Sequence, residues 1–483
     1  MRGAGFLFLI FATFCTVSQA AASTYVNVGD DVYNILARLE AEGIIQSGLL
    51  SSKPVSRREA VRLLQEAKKH TGGSSEYIKS LVRSLEVRLE PDGSDLQLVD
   101  KTYTRYIYTD SDSHALNYDN DGDIYKKGPN VRAGFDTRFE DFGRLSFHLL
   151  PELRLAEGSG DLIYKKAYIV YDFGWDLVLG KDSQWWGPGY HGALLLSNNV
   201  EPFTMVRINN PEPVVLPWIF KHLGPFHFTF FVTNLEKDRA DFPEPYLWGM
   251  RFNFKPHANI EIGLQKTAML GGRGRPDDLN AWLKSFGALD EHEAGESGDQ
   301  RAGYDVKLTL PFRVQPFQIY TEGAAEDSVS LRPVQWAYIY GIYLPRILSL
   351  ERLEFRYEWA ETYDRHEPSS WYLHHIYTSG YTYKSMIIGH HMGTNSRDNF
   401  LELTFRIPEK NTRLSLSYDV EEHNISQPIR EKKDETFIRV NAGLTDKLTV
   451  NAAYGYGRIK NPGNILTDTL KVEVIEGGVE WRF

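Results

Sequence analysis

The chain has 483 residues, a single cysteine, 13% aromatic side chains and a formal net charge of −10, or −11 without Arg2. It is longer than one ordinary domain, yet beyond residue 22 it holds no apolar run of about 18 residues, which excludes a membrane helix but not a bilayer crossing by a closed barrel. The acidic balance argues against a nucleic-acid partner, which would favour a basic face.

Arg2 is followed by an apolar run from Phe6 to Phe14 and by small residues that offer two cleavage sites, after Ala20 or after Ala22. This pattern predicts a secretory signal peptide over 1–22, too short to span a membrane. Cys15, the only cysteine, lies within it, and bulky Phe14 spoils a lipoprotein box. The exported chain therefore has no thiol, which excludes disulfides, thiolate metal sites and cysteine nucleophiles.

Residues 23–92 read as a periplasmic bundle of three short helices. Val32, Ile35, Leu36 and Leu39 form an i, i+3, i+4, i+7 stripe. Ser56-Arg57-Arg58-Glu59 has capping-box spacing ahead of Val61, Leu63 and Leu64. Tyr77, Ile78, Leu81, Val82, Leu85 and Leu89 make the third stripe, stopped by Pro91. A structural plug is the plain reading of the bundle, and docking of polysaccharide export proteins is the alternative.

From about residue 96 to 483 period two takes over. Leu353, Phe355, Tyr357 and Trp359 alternate with Glu354, Arg356 and Glu358, and the last strand sets Val479, Trp481 and Phe483 against Glu480 and Arg482. Tight turns are expected near 140–143, 172–174, 255–258, 312–315, 408–411 and 445–447, with a longer one at 344–350. Placing them all on the periplasmic side requires a descending strand between Phe203 and Trp218 and one long external excursion from 361 to 398. The fold class is thus an all-β transmembrane barrel of about 18 antiparallel strands with an N-terminal α-helical bundle. So wide a lumen must be filled by inward loops or left as a pore.

The densest unusual stretch is Gly180-Lys181-Asp182-Ser183-Gln184-Trp185-Trp186-Gly187-Pro188-Gly189-Tyr190, followed by Leu196-Ser197-Asn198-Asn199. It opens the third external loop. Paired Trp side chains stack on sugar rings, and Asp, Gln and Asn supply the planar donors and acceptors that hydroxyl arrays need. The competing reading places Trp185 and Trp186 in the interfacial aromatic belt.

On these residues the chain resembles the outer-membrane capsule assembly proteins of the Wzi type. A weaker echo runs from His374-His375-Ile376-Tyr377 to Ile388-Gly389-His390-His391-Met392-Gly393. The resemblance implies an 18-stranded barrel blocked at its periplasmic end by the bundle, and a lectin-like surface that holds capsular or related exopolysaccharide. The saccharide-binding candidates are Asp182, Gln184, Trp185, Trp186, Tyr190, Asn198, Asn199, Arg239 and His390, with Arg251 and Arg356 as further guanidinium groups for sugar carboxylates.

Other chemistry is weakly signalled. His374, His375, His390 and His391 share one excursion but match no metal motif, and no metal or cofactor is expected. Asp119-Asn120-Asp121-Gly122-Asp123 has its glycine misplaced for an EF-hand and Asn130 where the twelfth ligand belongs. Asp364, Glu367, Asp398, Glu421 and Glu422 are glycosidase-type carboxylates of unknown separation, and no serine sits in a nucleophile elbow with a fitting triad order. Leu279, Trp282, Leu283 and Phe286 predict a short amphipathic helix folded over the lumen. The expected function is non-enzymatic: a monomeric outer-membrane barrel, in contact with lipid, that binds surface polysaccharide by avidity along the polymer. A saccharide channel is the alternative, and a surface hydrolase a third.

Overall fold

The computed structural model describes residues 22–89, 99–112, 115–287, 298–329, 332–366 and 371–483. All but the last residue of the leader expected over 1–22, Pro91 and Glu367 lie outside the described residues.

Three helices lead the described chain: α1 (Asp31–Ala41), α2 (Arg57–His70) and α3 (Glu76–Leu89). The Asp30 side chain accepts from the Val32 amide at 3.0 Å and Ser56 Oγ from the Glu59 amide at 3.0 Å, each satisfying an orphan donor of the first turn. Only half of the expected capping box forms, because the Glu59 carboxylate turns to Arg62 at 2.6 Å. Val32, Ile35, Leu36 and Leu39 meet Leu63, Leu64, Leu81 and Leu85 in one core.

Eighteen strands then close a barrel. They are β1 (Lys101–Thr109), β2 (Gly128–Phe142), β3 (Leu145–Ala156), β4 (Ser159–Asp172), β5 (Asp176–Asp182) and β6 (Phe203–Asn209). β7 (Pro225–Asn234), β8 (Tyr246–His257), β9 (Ile260–Leu270), β10 (Gly298–Leu310), β11 (Phe317–Val329) and β12 (Arg332–Leu344) follow. The circuit ends with β13 (Leu353–Glu361), β14 (Ser396–Ile407), β15 (Thr412–His423), β16 (Glu431–Gly443), β17 (Leu448–Lys460) and β18 (Leu470–Arg482). Each pairs antiparallel with the next, and β18 closes on β1 from Lys101 opposite Arg482 to Thr109 opposite Val474. The expected strand between Phe203 and Trp218 is β6, and 362–395 is a single excursion between β13 and β14.

The pleat sorts side chains as period two requires. Val479, Trp481 and Phe483 are 43–48% exposed on the outer wall, whereas Glu261, Asp305 and Glu322 are at most 1% exposed toward the lumen. Two ends result. The turn end carries the short connections and the bundle, and the loop end carries the excursions, of which Glu157-Gly158 between β3 and β4 is short.

The bundle is seated by charge and hydrogen bonds rather than by apolar contact alone. Asp31 meets Arg406 at 2.7 Å, Arg88 donates to Asn411 at 2.6 Å, Ser56 to the Pro211 carbonyl at 2.7 Å, and Glu40 takes Lys255 and Lys307. Although burial raises it, Lys255 and Lys307 hold the Glu40 carboxyl down to about 2.

Candidate functional site

The third loop begins where β5 ends, and its root is pinned by charge: Asp182, 1% exposed, meets Lys166 and Arg207 of the adjoining strands, each at 3.0 Å. From there the chain turns inward. Trp185 and Trp186 form a two-residue antiparallel strand with Lys53 and Ser52, which come from the connection between α1 and α2. The Gly187 amide donates to the Ser51 carbonyl at 2.9 Å. Gly187 has φ +133°, and a Cβ there would lie 2.3 Å from Glu322, so only glycine lets the strand pass the wall. The wall yields in turn at Gly249, where a Cβ would meet Trp186 at 2.9 Å.

Trp186 packs edge-on against Phe231 with centroids 5.5 Å apart, and Lys53 Nζ sits 4.9 Å from the Trp185 ring. The loop then carries Leu194, Leu195 and Leu196, all 0% exposed, into a core shared with Trp371, Tyr372, Tyr377, Tyr381, Ile388 and Met392 of the 362–395 excursion. The two excursions are stitched by polar contacts. Tyr372 Oη donates to Leu194 O at 2.6 Å, Tyr381 Oη to Leu195 O at 3.0 Å, Ser197 Oγ to Gly389 O at 2.7 Å and Asn199 Nδ2 to Ile387 O at 2.9 Å. Two loops and the bundle connection thus fill the middle of the barrel.

The residues of the site read from sequence lie inside the barrel. Asp182, Gln184, Trp185, Trp186, Asn198, Asn199, Arg239 and His390 are all buried, at no more than 6% exposure. The indoles face neither a sugar at the surface nor the interfacial belt. The reason is physical: a lumen this wide would leave the apolar run 194–196 wetted, and folding the loop inward buries it. Tyr190, half-buried, also points inward, donating to Glu402 at 2.8 Å and accepting from Arg413 at 2.8 Å.

The arginines are spoken for as well. Arg239 binds Asp241 at 2.8 Å and the Gly380 carbonyl at 2.6 Å, Arg251 binds Asp305 at 2.6 Å, and Arg356 lies between the Tyr190 and Tyr343 rings at 4.3 and 3.7 Å. Asp123 of the acidic loop is neutralised by Arg132 at 3.0 Å, Arg105 at 3.4 Å and Arg154 at 3.4 Å, which satisfies it without a calcium ion. Asp398 and Glu421 are 2% and 1% exposed, out of a polymer's reach.

The helix predicted over 279–286 exists as α4 (Leu279–Gly287), but it lies on the outer wall instead of across the lumen. Trp248 Nε1 donates to Ser285 Oγ at 3.0 Å, and α4 covers Trp248, Ala268 and Leu270, which share the outward face of β8 and β9. Leu279, Leu283 and Phe286 remain 75%, 58% and 39% exposed, a patch matched to lipid rather than to water.

At the loop end the exposed side chains include the cations Lys126, Lys127, Lys237, Lys384 and Arg430, spread over several loops, together with acids such as Asp112, Asp161, Asp238 and Asp468. Sequence reasoning passed over the cations because a lone lysine in a polar loop carries no signal. It also missed a convergence inside the barrel, where His191 and His391 meet Asp398 and Asp419. His374 is not part of it, since its Nδ1 accepts from the Ile376 amide at 3.2 Å in a local turn.

The family model described as capsule assembly protein Wzi matches residues 101–469. An uncharacterised 55.8 kDa protein from the cps region of Klebsiella pneumoniae is 28% identical over 344 residues, 67% of this chain and 62% of that protein, so the match spans less than two thirds of the relative's length. Among solved structures, Wzi of Escherichia coli, an outer-membrane protein involved in group 1 capsule assembly and a carbohydrate-binding β-barrel, is 21% identical. That match has a TM-score of 0.77 and covers 95% of this chain and 100% of the other.

Proposed function

The chain belongs to the Wzi family of capsule assembly proteins, and we propose that it is an outer-membrane barrel that holds exported capsular or related exopolysaccharide at the cell surface without catalysing a reaction. The observation that carries this reading is the filled lumen. Trp186, Leu194–Leu196, Tyr372, Tyr377 and Tyr381 form a continuous interior core, which leaves the loop-end face, not a bore, as the place where a polymer can engage. The loop end faces outside and the bundle occupies the periplasmic end, where export proteins would find it.

Contact with the polymer falls to exposed loop side chains. Lys126, Lys127, Lys237, Lys384 and Arg430 are spread across four loops, and ammonium and guanidinium groups pair with sugar hydroxyls and carboxylates. Each contact is weak by itself, and repetition along a polymer supplies the affinity. The buried tryptophans support this face from beneath without touching the sugar.

The test compares cell-attached with shed polysaccharide in cells with and without the protein. A move from attached to shed at constant total is the expected result. Unchanged attachment, together with slower uptake of an oligosaccharide, would replace this reading with the channel.

A further inference from the structure

Inside the barrel near the loop end, four side chains from four parts of the chain point at one spot. His191 comes from the third loop, His391 from the 362–395 excursion, Asp398 from β14 and Asp419 from β15. One ligand atom of each lies within 4.8 Å of all the others. The individual separations are more telling. His191 Nε2 is 3.4 Å from Asp419 Oδ2 and 3.6 Å from Asp398 Oδ2, and His391 Nε2 is 3.5 Å from the same Asp398 oxygen. These are too long for hydrogen bonds. They match the edge of a tetrahedron whose corners stand ~2.1 Å from a centre, which is about 3.4 Å.

The polar bookkeeping of the cluster agrees. The four side chains are 2–6% exposed, and neither oxygen of Asp398 or Asp419, nor His191 Nε2, nor His391 Nε2 has a hydrogen-bond partner among the described residues. Such groups cost free energy unless something satisfies them. Nearby carboxylates deepen the deficit. Glu421 Oε1 is 3.6 Å from His391, and Lys433 is the fixed cation in ion-pair contact with the group among the described residues, on Glu421 and on Glu435 at 3.3 Å.

The surroundings hold the two rings as metal ligands are held. Asp119 Oδ2 lies 3.3 Å from His391 Nδ1, on the opposite side of the ring from the Nε2 that faces Asp398, so the carboxylate orients the imidazole with Nε2 toward the centre. Tyr118 stacks on His391 with centroids 4.2 Å apart and Phe400 on His191 at 3.8 Å.

We infer that His191, His391, Asp398 and Asp419 form a binding site for a divalent transition-metal ion of the Zn2+ type, which staples the two lumen-filling excursions to the barrel wall. Two imidazoles and two carboxylates suit such an ion, and all four protein ligands present make it structural rather than catalytic. The site is independent of polysaccharide binding, so its test does not depend on that function.

The full-length barrel, folded in detergent and stripped with a chelator, is loaded with Zn2+ alone and desalted. One equivalent of zinc per chain is expected, with a higher melting midpoint than the stripped protein and a zinc K-edge absorption spectrum showing two imidazole nitrogens and two carboxylate oxygens. The equivalent is expected to be lost in the double variant His191→Ala, His391→Ala, and affinity to fall about 10- to 100-fold in Asp119→Asn, which leaves all four ligands in place. Zinc absent from loaded wild-type protein, zinc retained equally by the double variant, or a spectrum of a different ligand set would each overturn the assignment. If the double variant does not fold, the wild-type stoichiometry and spectrum decide the question.

Discussion

Glu40 of α1, 1% exposed, lies 2.6 Å from Lys255 at the turn end of β8. Its second oxygen meets Lys307 of β10 at 2.7 Å and Gln318 of β11 at 3.0 Å. A single carboxylate therefore ties the bundle to three strands, while Lys255 also donates to the Gly48 carbonyl at 2.9 Å. Replacing it by Gln keeps the shape but takes the carboxylate from the buried Lys255 ammonium, while Lys307 keeps Glu261 at 2.8 Å. Glu40→Gln is expected to destabilise docking by about 3–5 kcal/mol, seen as protease cleavage within 31–89 while the barrel itself stays resistant.

The same contact sets an acid limit. The folded Glu40 carboxyl is held at about 2, below its ordinary value of 4.5, so its contribution is full above pH 4.5 and fades as pH falls from there toward 2. The shift corresponds to roughly 3 kcal/mol. Protease protection of the bundle should decline across that window in the wild type and much less in Glu40→Gln.

Trp186 supports the plug from within, so its removal acts on packing. Trp186→Ala opens a void against Phe231 and Gly249 and is expected to cost about 3–5 kcal/mol, read as a lower unfolding temperature in detergent. Lys126→Ala with Lys127→Ala touches only exposed positions and should leave that temperature within about 1 °C, while reducing polysaccharide retention. The opposite pattern would return the sugar site to the tryptophans.

A filled lumen also predicts electrical silence. The wild-type barrel in a planar bilayer should pass little current, whereas exchanging 371–392 for a short Gly/Ser linker removes Trp371, Tyr372, Tyr377, Tyr381 and Met392 from the core and should give discrete openings. Large stable currents from the wild type would count against the closed reading.

On the outer wall, α4 presents Leu279, Leu283 and Phe286 beside Trp282. Brominated lipids should therefore quench Trp282, measured as the difference between wild type and Trp282→Phe. No difference would mean that this helix stands clear of the acyl chains.

The barrel was legible because its signal is local. Alternation such as Leu353 to Trp359 or Val479 to Phe483 follows from the pleat itself, and a parity argument over short turns was enough to demand the strand β6 and the single excursion 362–395. The helices of the bundle announced themselves through stripes and caps in the same local way. The Trp-Trp-Gly-Pro-Gly run was legible as an unusual stretch but not as an inward one: the same residues that suit a sugar site suit a tight inward strand, and composition does not say which side of the wall a loop takes.

The order of residues alone determined the period-two wall, the closing strand, the helical stripes and the family, since each depends on neighbours a few positions apart. Only the tertiary structure decided that Trp185 and Trp186 are interior, that α4 lies on the outside, and that His191 meets Asp419 across more than two hundred residues of chain. Closing a barrel brings distant strands together and forces its loops to choose between lumen and solvent. That choice is set by the summed burial of all of them and is written in no single segment.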